Sequence, residues 1–161
     1  MTQAPLMDRI HITEDYDVPR VINGGWQLSA GHALERPLDL ADASRAFNRL
    51  IDMGFDTFDC ADIYTGVEDF FGGIIRERRK AGLRLPQIHT KFVPDLNDLA
   101  NVTPAYVENI ITRSLRRLGV ERLDAVQFHW WDYSVPGMVD VAGELVRLQE
   151  KGLIRLISTT N

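Results

Sequence analysis

The sequence has one cysteine, Cys60, among 161 residues, which excludes an internal disulfide and fits a reducing compartment. No apolar run approaches the roughly 18 residues of a membrane-spanning helix. Met1 to Ile10 lacks the basic-then-apolar order of a secretory leader. Together these absences lead us to expect a cytoplasmic protein. Basic residues are not in excess: 18 stand against 23 acidic ones, a net charge of −5, so neither a nucleic-acid nor a membrane partner is expected. No Gly-x-Gly-x-x-Gly follows a strand candidate, and no phosphate-binding loop motif is present. His11, His32 and His89 keep no metal-ligand spacing with one another or with Cys60, so no metal is expected. Cys60 itself reads as a small buried filler.

What the sequence does have is a recurring phrase: amphipathic helix, glycine, short apolar strand. Leu40, Ala43, Phe47, Leu50 and Ile51 share one helical face, with Asp39 as the cap. Gly54 follows, then Phe55 to Asp59 as a strand. Val67, Phe70, Phe71, Ile74 and Ile75 form the second stripe, with Arg76, Arg78, Arg79 and Lys80 suiting the negative helix end. Gly72-Gly73 inside this helix reads as close packing. Gly82 follows, then the strand Gln87 to Lys91. Thr103-Pro104 opens a third helix, and Gly119 ends it before a strand from Leu123 to Phe128. Ala142, Leu145, Val146 and Leu148 mark a fourth, followed by Gly152 and a strand from Ile154 to Thr159. An earlier strand is expected near Val21-Ile22, preceded by a hairpin of Arg9 to Ile12 with Asp17 to Arg20.

The repeat implies a parallel α/β sheet with right-handed crossovers, in a single domain over residues 1–161. Several strands are apolar with little alternation, which suggests a sheet covered on both faces. An open doubly wound sheet and part of a (β/α)8 barrel both fit.

Functional groups in such folds gather at the carboxyl ends of strands. Here three successive strand candidates end on Asp59, Lys91 and His129, with Tyr64 just after the first. This set can move a proton. A phenol titrates near ~10, and a nearby ammonium lowers that value. Lys91 could supply the ammonium, Asp59 could aim it, and His129 could orient a carbonyl oxygen. Such a carbonyl would accept hydride from a bound nicotinamide.

The run Asp59-Cys60-Ala61-Asp62-Ile63-Tyr64, with Glu68 after it, resembles the Asp-x-Ala-x-x-Tyr signature of the aldo-keto reductase superfamily. Ser114 to Gly119, then Leu123-Asp124 and the strand into His129, resembles the second signature, and Lys91 matches the family's lysine. The resemblance runs from about Pro19 to Asn161. It implies an incomplete (β/α)8 barrel, with strands 1–5, helices 1–4 and a preceding hairpin, truncated after strand five. It also implies reduction of a small aldehyde or ketone with NADP(H), or else NAD(H). Tyr64 would be the general acid, Lys91 would lower its pKa, Asp59 would pair with Lys91, and His129 would position the substrate. Gly24, Gly25, Trp26, Thr160 and Asn161 would contact the cofactor. Trp26, Trp130 and Trp131 would line the substrate mouth. The open barrel edges would invite self-association or a complementing chain. The alternative is a non-catalytic half-barrel that docks on a partner as a binding or regulatory module.

Overall fold

A computed structural model of the protein describes residues 7–30 and 39–160. An antiparallel hairpin comes first, β1 (Arg9–Thr13) and β2 (Tyr16–Pro19). Then a five-stranded sheet alternates with helices: β3 (Asn23–Gly24), α1 (Leu40–Asp52), β4 (Thr57–Asp59), α2 (Val67–Lys80), β5 (Gln87–Phe92), α3 (Pro104–Leu118), β6 (Leu123–Phe128), α4 (Met138–Glu150) and β7 (Ile154–Thr159). All four pairings in this sheet are parallel. The spatial order is β3-β4-β5-β6-β7, the order of the chain. A doubly wound sheet reverses its strand order at a switch point. This sheet has no reversal, so it is the advancing wall of a barrel.

Local chemistry explains the elements. The Asp39 carboxylate accepts from the amides of Ala41 and Asp42 at 2.9 and 3.0 Å and starts α1. The Thr103 hydroxyl accepts from the Tyr106 amide at 3.2 Å, with Pro104 at the first helical position of α3. That helix ends at Gly119 with φ +67, a left-handed cap that a side chain would strain. Gly54, Gly82 and Gly152 likewise have positive φ, so the glycine spacing seen in the sequence marks real helix ends.

The sheet has two unlike faces. Ile88, Thr90 and Phe92 of β5 are buried toward the helices, where Phe58, Phe71, Ile111, Val126 and Leu145 also lie. The alternate residues, His89 and Lys91, face the barrel interior and meet polar partners. This corrects the expectation of two covered faces: β5 alternates strictly, because only one face is sheathed by helices. Two further expectations shift. The first strand lies at Asn23–Gly24, two residues beyond Val21-Ile22, which are exposed. Leu40 and Val146 lie off the buried stripes, at 54% and 45% exposure.

The hairpin closes the floor of the sheet. Arg9 pairs with the buried Asp56 at 2.9 Å, and the Tyr16 hydroxyl bonds His89 Nε2 at 2.9 Å. The Arg155 guanidinium lies 4.6 Å from the Tyr16 ring centroid and pairs with Asp15. Arg78 lies in the last turn of α2, as expected, and is also a buried tie between α1 and α2. It donates to Asp52 and Asn48 at 2.7 and 2.8 Å. Among the described residues, no helix is long and apolar enough to cross a membrane.

Helices α2 and α3 touch at Gly72, where a Cβ would sit 2.1 Å from the Arg117 carbonyl oxygen, whereas at Gly73 the nearest atom is 3.9 Å away. Gly72→Ala must therefore push the helices apart and cost about 1–3 kcal/mol, while Gly73→Ala should be neutral or stabilising by about 0.5–1 kcal/mol. Thermal unfolding of the two variants side by side checks this. Equal melting temperatures would refute the packing assignment.

Candidate active site

Four polar side chains converge at the carboxyl ends of β4, β5 and β6. Asp59 is the last residue of β4, Lys91 is an inward residue of β5, and His129 follows β6. Tyr64 lies in the connection from β4 to α2. Parallel pairing puts these strand ends side by side, which is why residues 30 to 40 apart in sequence meet here.

The Lys91 ammonium reaches Asp59 Oδ1 and Oδ2 at 2.6 and 2.7 Å and the Cys60 carbonyl at 2.8 Å. An ammonium has three protons, and these acceptors match them. The Lys91 side chain is only 12% exposed, so an unpaired charge there would be costly. Gln127, inward on β6, donates to Asp59 Oδ1 at 2.7 Å. The motif reading missed Gln127. Its position two residues before His129, on the same strand face, was the available signal.

Lys91 Nζ stands 5.2 Å from the centroid of the Tyr64 ring. The expected lowering of the Tyr64 pKa does not appear. Burial, then the Asp59 charge, push the phenol above its ordinary value. The reason is the geometry just described: Asp59 neutralises the ammonium and adds its own negative charge to the phenol's surroundings.

His129 Nδ1 lies 3.3 Å from the Thr160 carbonyl, which can only accept, so this nitrogen donates. The contact is long and holds the tautomer weakly. Among the described residues, His129 Nε2 is buried and has no hydrogen-bond partner. Tyr64, Lys91, His129, Trp131 and Thr160, with Ile63 and Val93, line one cavity of about 220 Å³. The Trp131 ring meets His129 edge-on at 4.4 Å, anchored by its Nε1 donating to the Pro94 carbonyl at 2.7 Å.

The remaining expected residues divide. Trp26 is 47% exposed, and Gly24 has open space where a side chain would be. Gly25 is packed rather than open: a Cβ would lie 3.0 Å from the Asp59 carbonyl, Phe71 and Val67. Its amide donates to that same carbonyl at 2.8 Å. Trp130 departs from the expected mouth position. It is 2% exposed, packs edge-on against Phe128, and donates to the Val135 carbonyl. The turn after β6 sends successive tryptophans to opposite sides, Trp130 into the core and Trp131 to the cavity. Asn161 and His32 lie outside the described residues. Cys60 is fully buried, and burial pushes its thiol well up, as suits an inert filler. Among the described residues, no group of three or more His, Cys, Asp or Glu is placed to hold a metal.

The model of the aldo/keto reductase family matches residues 20–161. The chain belongs to this family. It is 29% identical over 165 residues to a Glycine max protein described as "Probable aldo-keto reductase 1", covering 98% of this chain and 45% of that one. It is 28% identical over 163 residues to the methylglyoxal reductase DkgA of Yersinia pestis, covering 100% of this chain and 50% of that protein. The fold matches an aldo-keto reductase of Bacillus halodurans, solved in its holo form, with a TM-score of 0.72 at 23% identity. That match covers 95% of this chain and 50% of the other. The chain thus spans about half the length of the curated relatives it matches.

Beside the cavity, the Asp62 carboxyl is pushed up to about 7 by burial and by the charge of Glu68. An unfolded Asp62 releases its proton near ~4, so folding takes up a proton between about pH 4 and pH 7. The Asp62 contribution to stability therefore falls as pH rises through that window. Asp62→Asn should flatten this part of the pH–stability curve, by a few kcal/mol at most, since each pKa unit is worth about 1.4 kcal/mol. Urea unfolding of both proteins at the two ends of the window measures it. A slope unchanged by the substitution would mean that Asp62 titrates as an ordinary carboxylate.

Proposed function

We propose that this chain carries the proton-handling part of a carbonyl reductase that takes hydride from a reduced nicotinamide, NADP(H) ahead of NAD(H). The observation that carries the reading is one cavity bordered by a proton-holding phenol, a paired ammonium and a histidine whose Nε2 has no partner among the described residues. Methylglyoxal, the substrate named for the Yersinia relative, is a small carbonyl compound and would suit a cavity of about 220 Å³. That space is below the roughly 300–1,000 Å³ of complete ligand pockets, so it admits a ring-sized group and a small carbonyl, not a whole dinucleotide. Trp26, Gly24 and Thr160 would border the nicotinamide end. Gly25 supports the loop from beneath.

When bound, the nicotinamide supplies hydride to the carbonyl carbon. The chain's own residues handle the oxygen. Tyr64, with its pKa raised, retains its proton at neutral pH and delivers it as the oxygen gains negative charge. Lys91 then stands 5.2 Å from the phenolate ring, and its attraction favours that product. Asp59 and Gln127 hold Lys91 in place. With Nδ1 donating to Thr160, His129 Nε2 accepts from the product hydroxyl; in the other tautomer, which gives up that long contact, it donates to the carbonyl oxygen. A reduced nicotinamide donor and a lone buried thiol suit the cytoplasm.

Among the described residues, β3 and β7 are open edges of the sheet. Open edges template pairing with another chain, and a second copy could complete the wall around the cavity. Light scattering should show species heavier than 18.3 kDa that grow with concentration. A monodisperse 18.3 kDa particle over a wide range would refute self-association.

NADPH consumption with a panel of small aldehydes, with Tyr64→Phe alongside, tests the chemistry. Loss of a general acid should lower turnover by about 10²–10⁴-fold. Equal turnover in the variant would overturn the role given to Tyr64. A folded sample with neither turnover nor NADPH binding would favour a non-catalytic half-barrel that docks on a partner.

A further inference from the structure

Two buried carboxylates, Asp62 in the connection from β4 to α2 and Glu68 in the first turn of α2, take no part in the proton chemistry just described. Asp62 and Glu68 stand on either side of Tyr64, and each side chain is 1% exposed. Burying an acid this deeply is expensive, and an apolar pair would fill the space at lower cost. What the acids provide is direction.

Asp62 Oδ1 accepts from the Val93 amide at 3.1 Å. Glu68 Oε1 accepts from the Thr90 hydroxyl at 2.7 Å. Thr90 and Val93 are the residues that straddle Lys91 at the end of β5. From the other side, Arg117 Nη1 bridges the Asp62 carbonyl at 3.0 Å and Glu68 Oε2 at 3.2 Å, and so ties the connection to the first turn of α2. Arg113 Nη2 holds Asp62 Oδ2 at 3.1 Å. The residues that flank Tyr64 are thus bonded to the residues that flank Lys91, and α3 locks the arrangement from outside.

We propose that Asp62 and Glu68 are positioning residues: a pair of carboxylate clamps that set the place of Tyr64 relative to Lys91. The functional meaning of the clamp rests on the reading of Tyr64 as the proton donor. Its physical content does not. With both clamps closed, Tyr64 is held in the partly buried place beside Asp59 that raises its phenol. With either clamp open, the connection is free to swing toward solvent, and the phenol relaxes toward its ordinary value.

The test is the titration of Tyr64 in the full chain, followed by NMR on tyrosine labelled with ¹³C at Cζ and assigned with Tyr64→Phe. Asp62→Ala and Glu68→Ala should each lower the Tyr64 titration midpoint while the Cζ resonance of Tyr16, in the hairpin below, keeps its wild-type position. Asp62→Asn keeps an acceptor for the Val93 amide and should keep the wild-type midpoint. A general loss of structure would move both tyrosines and would not be rescued by asparagine. If the alanine variants do not fold, Thr90→Val and Arg113→Met each remove one partner of a clamp and leave the carboxylates in place. They should give a smaller shift of the same sign. An unchanged Tyr64 midpoint in folded alanine variants, or in both milder ones, overturns the proposal. This readout needs no turnover, so it stands or falls separately from the reductase reading, which the aldehyde assay decides.

Discussion

The ion pair between Lys91 and Asp59 is the constraint around which this half-barrel is arranged. An ammonium that is 12% exposed must find acceptors for all its protons. It finds them only if the ends of β4 and β5 lie side by side at the same height, with the chain turning at Cys60 so that its carbonyl also faces the amine. Gln127 extends the requirement to β6, because its amide reaches the same carboxylate. The register of three parallel strands and the polarity of the inner face are thus mutually dependent. A slip of one residue in β5 would bury Thr90's hydroxyl where Lys91 belongs and turn the ammonium into the helix layer.

Two kinds of interaction share the work on the two faces. The helix-side face is held by close apolar packing: the rings of Phe47, Phe58 and Phe71 meet within 5.5 Å of one another. Contacts of this kind are non-directional and tolerate modest rearrangement. The inner face and the loops are held by charge-assisted hydrogen bonds, which fix distance and angle. The division is functional. Packing supplies stability, and the directional bonds of Asp59, Asp62, Glu68 and Arg117 determine where Tyr64 and Lys91 stand.

Electrostatics also revised the simplest chemical picture of the site. An ammonium near a phenol lowers its pKa only when its charge is not cancelled. Here the Asp59 carboxylate takes up the ammonium's charge, and burial, then the charge of Asp59, raise the phenol. The phenol therefore keeps its proton and is a weaker donor than a free tyrosine, so on the proposed reading its proton moves only as charge develops on the substrate oxygen.

Local features of the chain were legible in the sequence. Asp39, Thr103-Pro104 and the positive-φ glycines mark helix ends, because caps depend on one residue and its immediate neighbours. Strands Leu123–Phe128 and Ile154–Thr159 fall where the apolar runs place them. The motif brought Asp59, Tyr64, Lys91 and His129 to one site. Other features were decided by the tertiary structure alone. Trp130 and Trp131 are adjacent and chemically identical, yet one is buried and the other borders the cavity. Gly25 reads like a cofactor-loop glycine and is in fact held against Phe71 and Val67. Gln127, Arg78 and the clamps of Asp62 and Glu68 acquire their partners from strands and helices 20 to 70 positions away. The strand order, which separated a barrel wall from a doubly wound sheet, is of the same kind. Periodicity and capping act within a turn or two of chain and are written in consecutive residues. Pairing between distant strands, and the burial that follows from it, depends on how the whole sheet closes.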